Sequence, residues 1–470
     1  MVDLVCSDYD SFLKSKQIRH INSGIDISIN SLNPMLFDWQ KDVVRWALFK
    51  GKSALFEDCG LGKTPQQLEW AKHVCIQTRA NVLILAPLAV SLQTQREGYK
   101  FGINVNVCKS QDDVKPGINI TNYERLDSFV PGSFSGVVLD ESSILKNFTG
   151  KYRNQIINSF INTPYKLACT ATPAPNDYTE IGNTAEFLGV MTRPEMLSMF
   201  FINDAGDTGK WRLKGHVKDN LFWAWLSSWA IMMRSPSDLG FDNKGFALPE
   251  LKIHEHIIPF AGDKETLFVE YAKTLSDRRR ARTESIDDRI RVAADLINVN
   301  GLKWIAWCNL NSESELLKAN ILNSIEVKGS DSHEHKENSL LGFAKNEVKC
   351  LVTKPRIAGF GMNFQNCHNM AFVGLSDSYE QFYQAIRRCW RFGQKEIVNV
   401  HIIVEEREGS VVENIKRKEQ DMITRFEGMV KQMKELMVNE LSVCKKTETV
   451  YMPKKHMALP NFMEMGGQCK

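Results

Sequence analysis

The run Asp58-Cys59-Gly60-Leu61-Gly62-Lys63-Thr64 has the make-up of a phosphate cradle. Glycines let backbone N–H groups approach a β-phosphate, a lysine adds a point positive charge, and a threonine hydroxyl ligates Mg²⁺. Gly60, Gly62, Lys63 and Thr64 fill those places, after an apolar strand-like run and at the head of a helix-length segment. The full template has one more glycine where this chain carries Glu57, and an ordinary strand–turn–helix connection shares the outline. A second run, Gly136-Val137-Val138-Leu139-Asp140-Glu141, is an apolar strand ending in two acids. In that layout Asp140 holds Mg²⁺ from the far side of the phosphates and Glu141 polarises the attacking water. Acids at a strand end are common. It is their order, cradle first and acids after further strand–helix alternation, that points to nucleotide hydrolysis.

Two more groups could complete such a site. Phe37 and Gln40, in Leu36-Phe37-Asp38-Trp39-Gln40, precede the first helix. An aromatic ring can stack on adenine while a glutamine amide donates to and accepts from its edge, a preference for ATP; a helix start with a buried Phe is the plainer alternative. Far downstream lies Gln384-Ala385-Ile386-Arg387-Arg388-Cys389-Trp390-Arg391-Phe392-Gly393-Gln394. Arg388 and Arg391 share one face of a helical turn, so both can reach across a cleft to a γ-phosphate as arginine fingers. A run of charge on a helix is usually a solvated face, but these arginines are interleaved with Ile386, Trp390 and Phe392, which suits a buried turn.

The elements that must carry these residues follow from hydrophobic rhythm. Between Ser53 and Cys169, apolar runs at 53–56, 81–86, 117–120, 136–140 and 165–169 alternate with helix-length segments, the pattern of a parallel α/β sheet. A second set recurs at 303–308, 349–353, 370–373 and 398–404. The expected organisation is an extension over 1–33, a nucleotide-binding lobe over 34–178 and a helical insertion over 179–249. A second lobe over 250–404, with its own helical insertion near 262–298, and a C-terminal helix and tail over 405–470 complete it. Trp223, Trp225 and Trp229 read as core within the first insertion. Ile415, Met422, Phe426, Met429, Met433 and Leu436 form a helical stripe that packs on the chain's own body or, less simply, makes a coiled coil.

Composition sets the outer limits. Apolar residues make up 43% and charged residues 24% of 470 residues, ordinary globular values that exclude a chain disordered along most of its length. Lys plus Arg number 59 against 56 Asp plus Glu, a net charge of +3, so a basic groove has to come from arrangement and not from excess. The 11 cysteines include no C-x-x-C pair, which favours a reducing cytoplasm over a disulfide framework or zinc site. The acidic start of the chain lacks a signal peptide's apolar core, and the apolar stretch 221–233 falls short of the ~20 residues that span a bilayer. No membrane association is expected.

Taken in order, these motifs resemble the superfamily-two helicases and, within them, the Swi/Snf-type ATPases, over a match running from about Asn33 to Val404. Pro87-Leu88 with Glu97, and Ile120-Thr121-Asn122-Tyr123-Glu124, are similar to the family's strand-contacting motifs. Lys146-Asn147 after the acid pair is typical of Swi/Snf members. Thr170-Ala171-Thr172-Pro173 resembles the motif that couples hydrolysis to strand binding. The segment 356–364, with Gly359, Gly361 and Asn363, resembles a second-lobe motif touching both nucleic acid and ATP. The resemblance implies two tandem RecA-like parallel-sheet lobes with a C-terminal helical brace. It also implies ATP and Mg²⁺ as cofactors, a catalytic role for Gln384, a nucleotide contact at Gly361, and nucleic-acid contacts at Pro87, Tyr123, Thr170, Thr172, Thr353 and Asn363. The chain departs from the pattern at Ser143, where the family has a His that bonds the glutamine matching Gln384, at Thr94 in place of Trp, and at Gly359-Phe360-Gly361 in place of a glycine pair.

The expected activity is that of a nucleic-acid-dependent ATPase, a translocase on double-stranded or branched DNA without sequence preference, in a bacterial or phage-infected cytoplasm. RNA is the less favoured polymer, and protein partners are not legible. A strand-separating DNA or RNA helicase is the alternative, and its distinguishing hairpin is missing between Glu396 and Glu405. An ATP-gated binding module would have lost Glu141 or an arginine, and all three are present.

Overall fold

Strands buried on both faces are written as unbroken apolar runs, and that is how the central strands here are built. The computed structural model describes residues 22–87, 90–147, 150–204, 207–215, 221–260, 275–299, 301–358, 363–376 and 378–445. Its first sheet contains β1 (Lys52–Glu57), β2 (Asn81–Ala86), β3 (Val105–Val107), β4 (Ile118–Asn122), β5 (Phe134–Asp140) and β6 (Tyr165–Thr170). An antiparallel hairpin, β7 (Phe201–Asp204) and β8 (Asp207–Leu213), stands apart, and β9 (Ala230–Met233) returns to the first sheet. The order is β3-β4-β2-β5-β6-β1-β9, parallel throughout, with Ala54 opposite Ala230 in the last pair. The stretch expected as a helical insertion over 179–249 holds a hairpin and a strand of the first sheet besides its helices. Trp223, Trp225 and Trp229 are buried beneath it, as core.

The second sheet comprises β10 (Leu251–Ile258), β11 (Trp304–Cys308), β12 (Ser324–Val327), β13 (Cys350–Thr353), β14 (Asn369–Val373) and β15 (Val398–Glu405). It is parallel in the order β10-β15-β14-β11-β13-β12. The two tandem α/β lobes expected from the sequence are thus observed. The charged pair expected near 262–298 appears as helices Leu275–Glu284 and Ile286–Val299, its first part lying outside the described residues.

One long helix, Gly409–Lys445, ties the lobes together. Val411, Val412 and Ile415 join the core of the second lobe, whereas Phe426, Met429, Val430, Met433, Met437 and Leu441 join that of the first. Each such side chain removed from water contributes about 1.5–3 kcal/mol gross, so the stripe packs on the chain's own body and acts as a brace. Lys50 pairs with Glu440 at 2.7 Å, and Arg425 donates to the Ala174 and Pro175 carbonyls at 3.2 and 3.1 Å.

Candidate active site

Parallel strands deliver their following loops to one edge of the sheet, and there β1 opens into the cradle while β5 ends at the acid pair. Helix Lys63–Thr78 starts at the cradle, so its unpaired N–H groups and the positive end of its dipole face the loop. Two glycines are required sterically. A Cβ at Gly60 (φ +92°) would lie 2.8 Å from the Phe392 backbone nitrogen, and one at Gly62 (φ +79°) 2.5 Å from Gln40 Nε2. Lys63 Nζ donates to the Glu57 and Asp58 carbonyls at 2.8 and 3.2 Å, which holds the ammonium over the loop.

The acids are positioned from below. Gln67 Nε2 donates to Asp140 Oδ1 at 2.8 Å, and the buried Tyr123 hydroxyl donates to the Asp140 carbonyl at 2.7 Å. Glu141 sits at φ +59°, a left-handed backbone that a non-glycine residue adopts only where its surroundings force it. Burial raises the carboxyl pKa of both Asp140 and Glu141; for Asp140 the Gln67 hydrogen bond leads the opposing effects, and for Glu141 the Lys63 charge does. Thr64 and Asp140 bring a hydroxyl and a carboxylate to the same cleft, hard oxygen donors of the kind that could hold Mg²⁺.

A cleft of about 360 Å³ between the lobes collects Phe37, Gln40, Gly60, Gly62, Lys63, Thr64, Asp140, Glu141, Asn363, Arg388 and Arg391. Phe37 is 47% exposed and meets Phe246 and Phe392 edge-on at 5.1 and 6.2 Å, while Phe246 and Phe392 stack at 4.8 Å. Gln40 receives the Phe37 N–H at 3.0 Å and donates to the Leu61 carbonyl at 2.9 Å, coupling the aromatic to the cradle. From the second lobe Arg388 Nε donates to the Gln384 carbonyl at 3.2 Å, and Arg391 bonds Asn363 Oδ1. Burial, aided by the Arg388 charge, pushes the Arg391 pKa down to about 10.

Other expected residues are placed differently. Gln384 does not line the cleft; it is buried, and among the described residues neither amide atom finds a partner. Gly361 lies outside the described residues. Pro87, Tyr123 and Asn363 border a larger cleft of about 990 Å³. Thr170, Thr172 and Thr353 do not: all three are buried, with Thr170 Oγ1 3.4 Å from Glu141 Oε2 and Thr353 Oγ1 donating to the Val327 carbonyl at 3.0 Å. Their hydroxyls are committed inward or enclosed. The larger cleft also carries Arg96, Lys109, Arg125, Lys336 and Arg356, set among Glu97, Glu124, Glu141, Glu334 and Glu380, so its lining is mixed with a small basic excess. Both clefts share Gln93, Glu97, Lys100, Glu141 and Asn363. Sequence reading missed Phe246, whose only signal was an aromatic in a glycine-rich linker, and placed Glu97 solely with the strand contacts.

Comparison with known proteins bears on this arrangement. Residues 288–393 match the helicase conserved C-terminal domain, which falls on the second lobe. The chain is 22% identical over 429 residues to the DNA annealing helicase and endonuclease ZRANB3 of Bos taurus, covering 81% of this chain and 39% of that protein. It is 21% identical over 470 residues to YwqA of Bacillus subtilis (strain 168), whose name assigns it provisionally to ATP-dependent helicases/translocases, covering 83% and 49%. The chain therefore spans two-fifths to a half of the length of these relatives. A solved structure, the Sulfolobus solfataricus SWI2/SNF2 ATPase core in complex with dsDNA, matches at 16% identity and a TM-score of 0.40 over 90% of this chain and 97% of that one. No helix among the described residues is long and apolar enough to cross a membrane.

Proposed function

We propose that this chain, a Swi/Snf-type member of helicase superfamily two, is a DNA-stimulated ATPase that moves along double-stranded or branched DNA. The observation that carries the reading is the shared wall: Glu141 and Asn363 border both the nucleotide cleft and the larger cleft, so an event in one is felt in the other. ATP sits with its base near Phe37 and Gln40 and its phosphates in the Gly60–Gly62 cradle under Lys63. Thr64 and Asp140 hold Mg²⁺, which neutralises phosphate charge when bound. Glu141, its pKa raised by burial, takes the proton of the attacking water. Arg388 and Arg391 approach from the other lobe and stabilise the charge developing on the transferred phosphoryl group.

DNA as the polymer is supported by the small basic excess of the larger cleft and by the name of the relative ZRANB3. Backbone contacts alone imply little sequence preference and a moderate salt dependence. A cytoplasmic setting is part of the same proposal. The test pairs triplex displacement with strand displacement on one duplex, alongside ATPase rates with double-stranded, single-stranded and branched DNA and with RNA. Third-strand release without duplex opening, at rates stimulated by duplex of any sequence, is the expected result. Efficient strand release, or stimulation by RNA alone, would overturn it.

A further inference from the structure

The helix Tyr379–Ile386 and its exit turn press one face on the first lobe. Glu380, Tyr383, Gln384 and Arg387 recur at the spacing of a single helical face. At one end Glu380 pairs with Lys146, in the turn after the acid pair. At the other, Arg387 Nη2 meets Asp58 Oδ2, at the head of the cradle, at 2.5 Å. The Tyr383 hydroxyl donates to Asp58 Oδ1 at 2.5 Å, the Cys59 N–H donates to the same oxygen at 2.6 Å, and Arg387 donates again to the Cys59 carbonyl at 3.2 Å. The pair is shielded from water, its side chains 3% and 13% exposed. Arg387 also lies 5.5 and 4.9 Å from the Tyr383 and Trp390 ring centres, which restrains its plane.

We propose that Asp58, Tyr383 and Arg387 are positioning residues, a latch between the lobes that sets how closely Arg388 and Arg391 approach the phosphate. The sequence pattern attaches no role to Asp58, Tyr383 or Arg387. Arg388 is the next residue after the latch arginine, so a displacement at Arg387 is passed to it directly, and small misplacements of catalytic groups cost large factors in rate. The lobes are close here, since even a Cβ added at Gly60 would come within 2.8 Å of the Phe392 backbone nitrogen. Burial opposes ionisation of Asp58, but the Arg387 charge and the Tyr383 and Cys59 hydrogen bonds outweigh it and hold the carboxyl below its ordinary range. Removing Arg387 alone strands that carboxylate beside the phosphate site, whereas neutralising both partners leaves no lone buried charge.

The inference rests on the ATPase reading and deepens it, and its test separates the two. Wild type, Arg387→Gln, Arg387→Lys, Asp58→Asn and the double variant Asp58→Asn/Arg387→Gln are compared as full chains. Arg387→Gln should lower kcat with saturating ATP and duplex DNA about tenfold or more while binding of a fluorescent ATP analogue stays within about twofold. Arg387→Lys should recover part of the rate, and the double variant should fall well short of the product of the two single losses. Small-angle scattering should give Arg387→Gln a larger radius of gyration than wild type. Unchanged kcat in Arg387→Gln, parallel loss of kcat, nucleotide binding and thermal midpoint, or multiplicative single effects would overturn the latch. Absence of ATPase activity in wild type would instead sink the underlying reading, and the scattering comparison would then decide the latch alone.

Discussion

Glu57 closes β1 fully buried, where the phosphate-cradle template has a glycine. Its Oε2 accepts from Gln66 Nε2 at 2.8 Å, and among the described residues its Oε1 has no partner. Burial raises its pKa from 4.5 to about 7, against the Lys63 charge and the Gln66 hydrogen bond. A pKa raised in the folded state means that the fold favours the protonated acid. The stability from this group is complete below 4.5 and is lost as pH rises through about 7. A span of about 2.5 pH units at ~1.36 kcal/mol each gives on the order of 3 kcal/mol across that window. Glu57→Gln keeps an acceptor for Gln66 and stays neutral at every pH, so it removes the dependence. At pH 8 the variant should be the more stable by on the order of 3 kcal/mol, or roughly 5–10 °C in thermal midpoint, with the two converging toward pH 4.5. Thermal unfolding of both proteins across pH 5 to about 8.5, followed by circular dichroism, measures the difference directly. Parallel pH profiles, or a variant less stable at pH 8, would refute the argument.

Lys63→Ala and Glu141→Gln should both abolish hydrolysis and yet differ in binding, because only the first removes a phosphate contact; equal loss of affinity in equilibrium ATP titrations would contradict the role given to Glu141. Arg388→Ala and Arg391→Ala should each lower turnover by a factor on the order of 10³ while nucleotide still binds, and near-normal steady-state rates would remove them from the site. Met433→Ala, in the brace where it packs on the first lobe fully buried, should destabilise that lobe by about 2–5 kcal/mol in denaturant unfolding, with no effect expected if the helix were a detachable appendage.

Legibility followed how far each signal was local. Runs such as 81–86 and 136–140 are continuous apolar strands between turn residues, and both were found as β2 and β5. Ala230–Met233 follows directly on a Trp-rich helix, so its four apolar residues read as more of the same; only pairing with β1 makes them a strand. Leu251–Ile258 alternates apolar residues with Lys252, His254 and His256 at a sheet edge, too polar to stand out from a linker. Cradle, acids and arginines, which the fold gathers around one cleft, stand out in the sequence because phosphate chemistry demands particular residues at fixed spacing. Which residues reach the larger cleft was less legible, because exposure is a tertiary property: Thr353 ends β13, yet its hydroxyl turns inward to Val327. Arg387 was hidden for a similar reason, since nothing in a sequence tells which of two adjacent arginines faces Asp58.

The brace has a consequence for how the molecule is made. The core of the first lobe is closed by β9 and then by Met433, Met437 and Leu441 from the Gly409–Lys445 helix. During synthesis, an emerging first lobe can assemble its inner strands early, but it waits for the entire second lobe to be translated before its last apolar surface is covered. At elongation rates of roughly 5–20 residues per second, that interval is on the order of ten seconds or more, spent with exposed apolar surface. A helix that packs into the cores of both lobes thus also sets when the nascent chain can complete the core of the first.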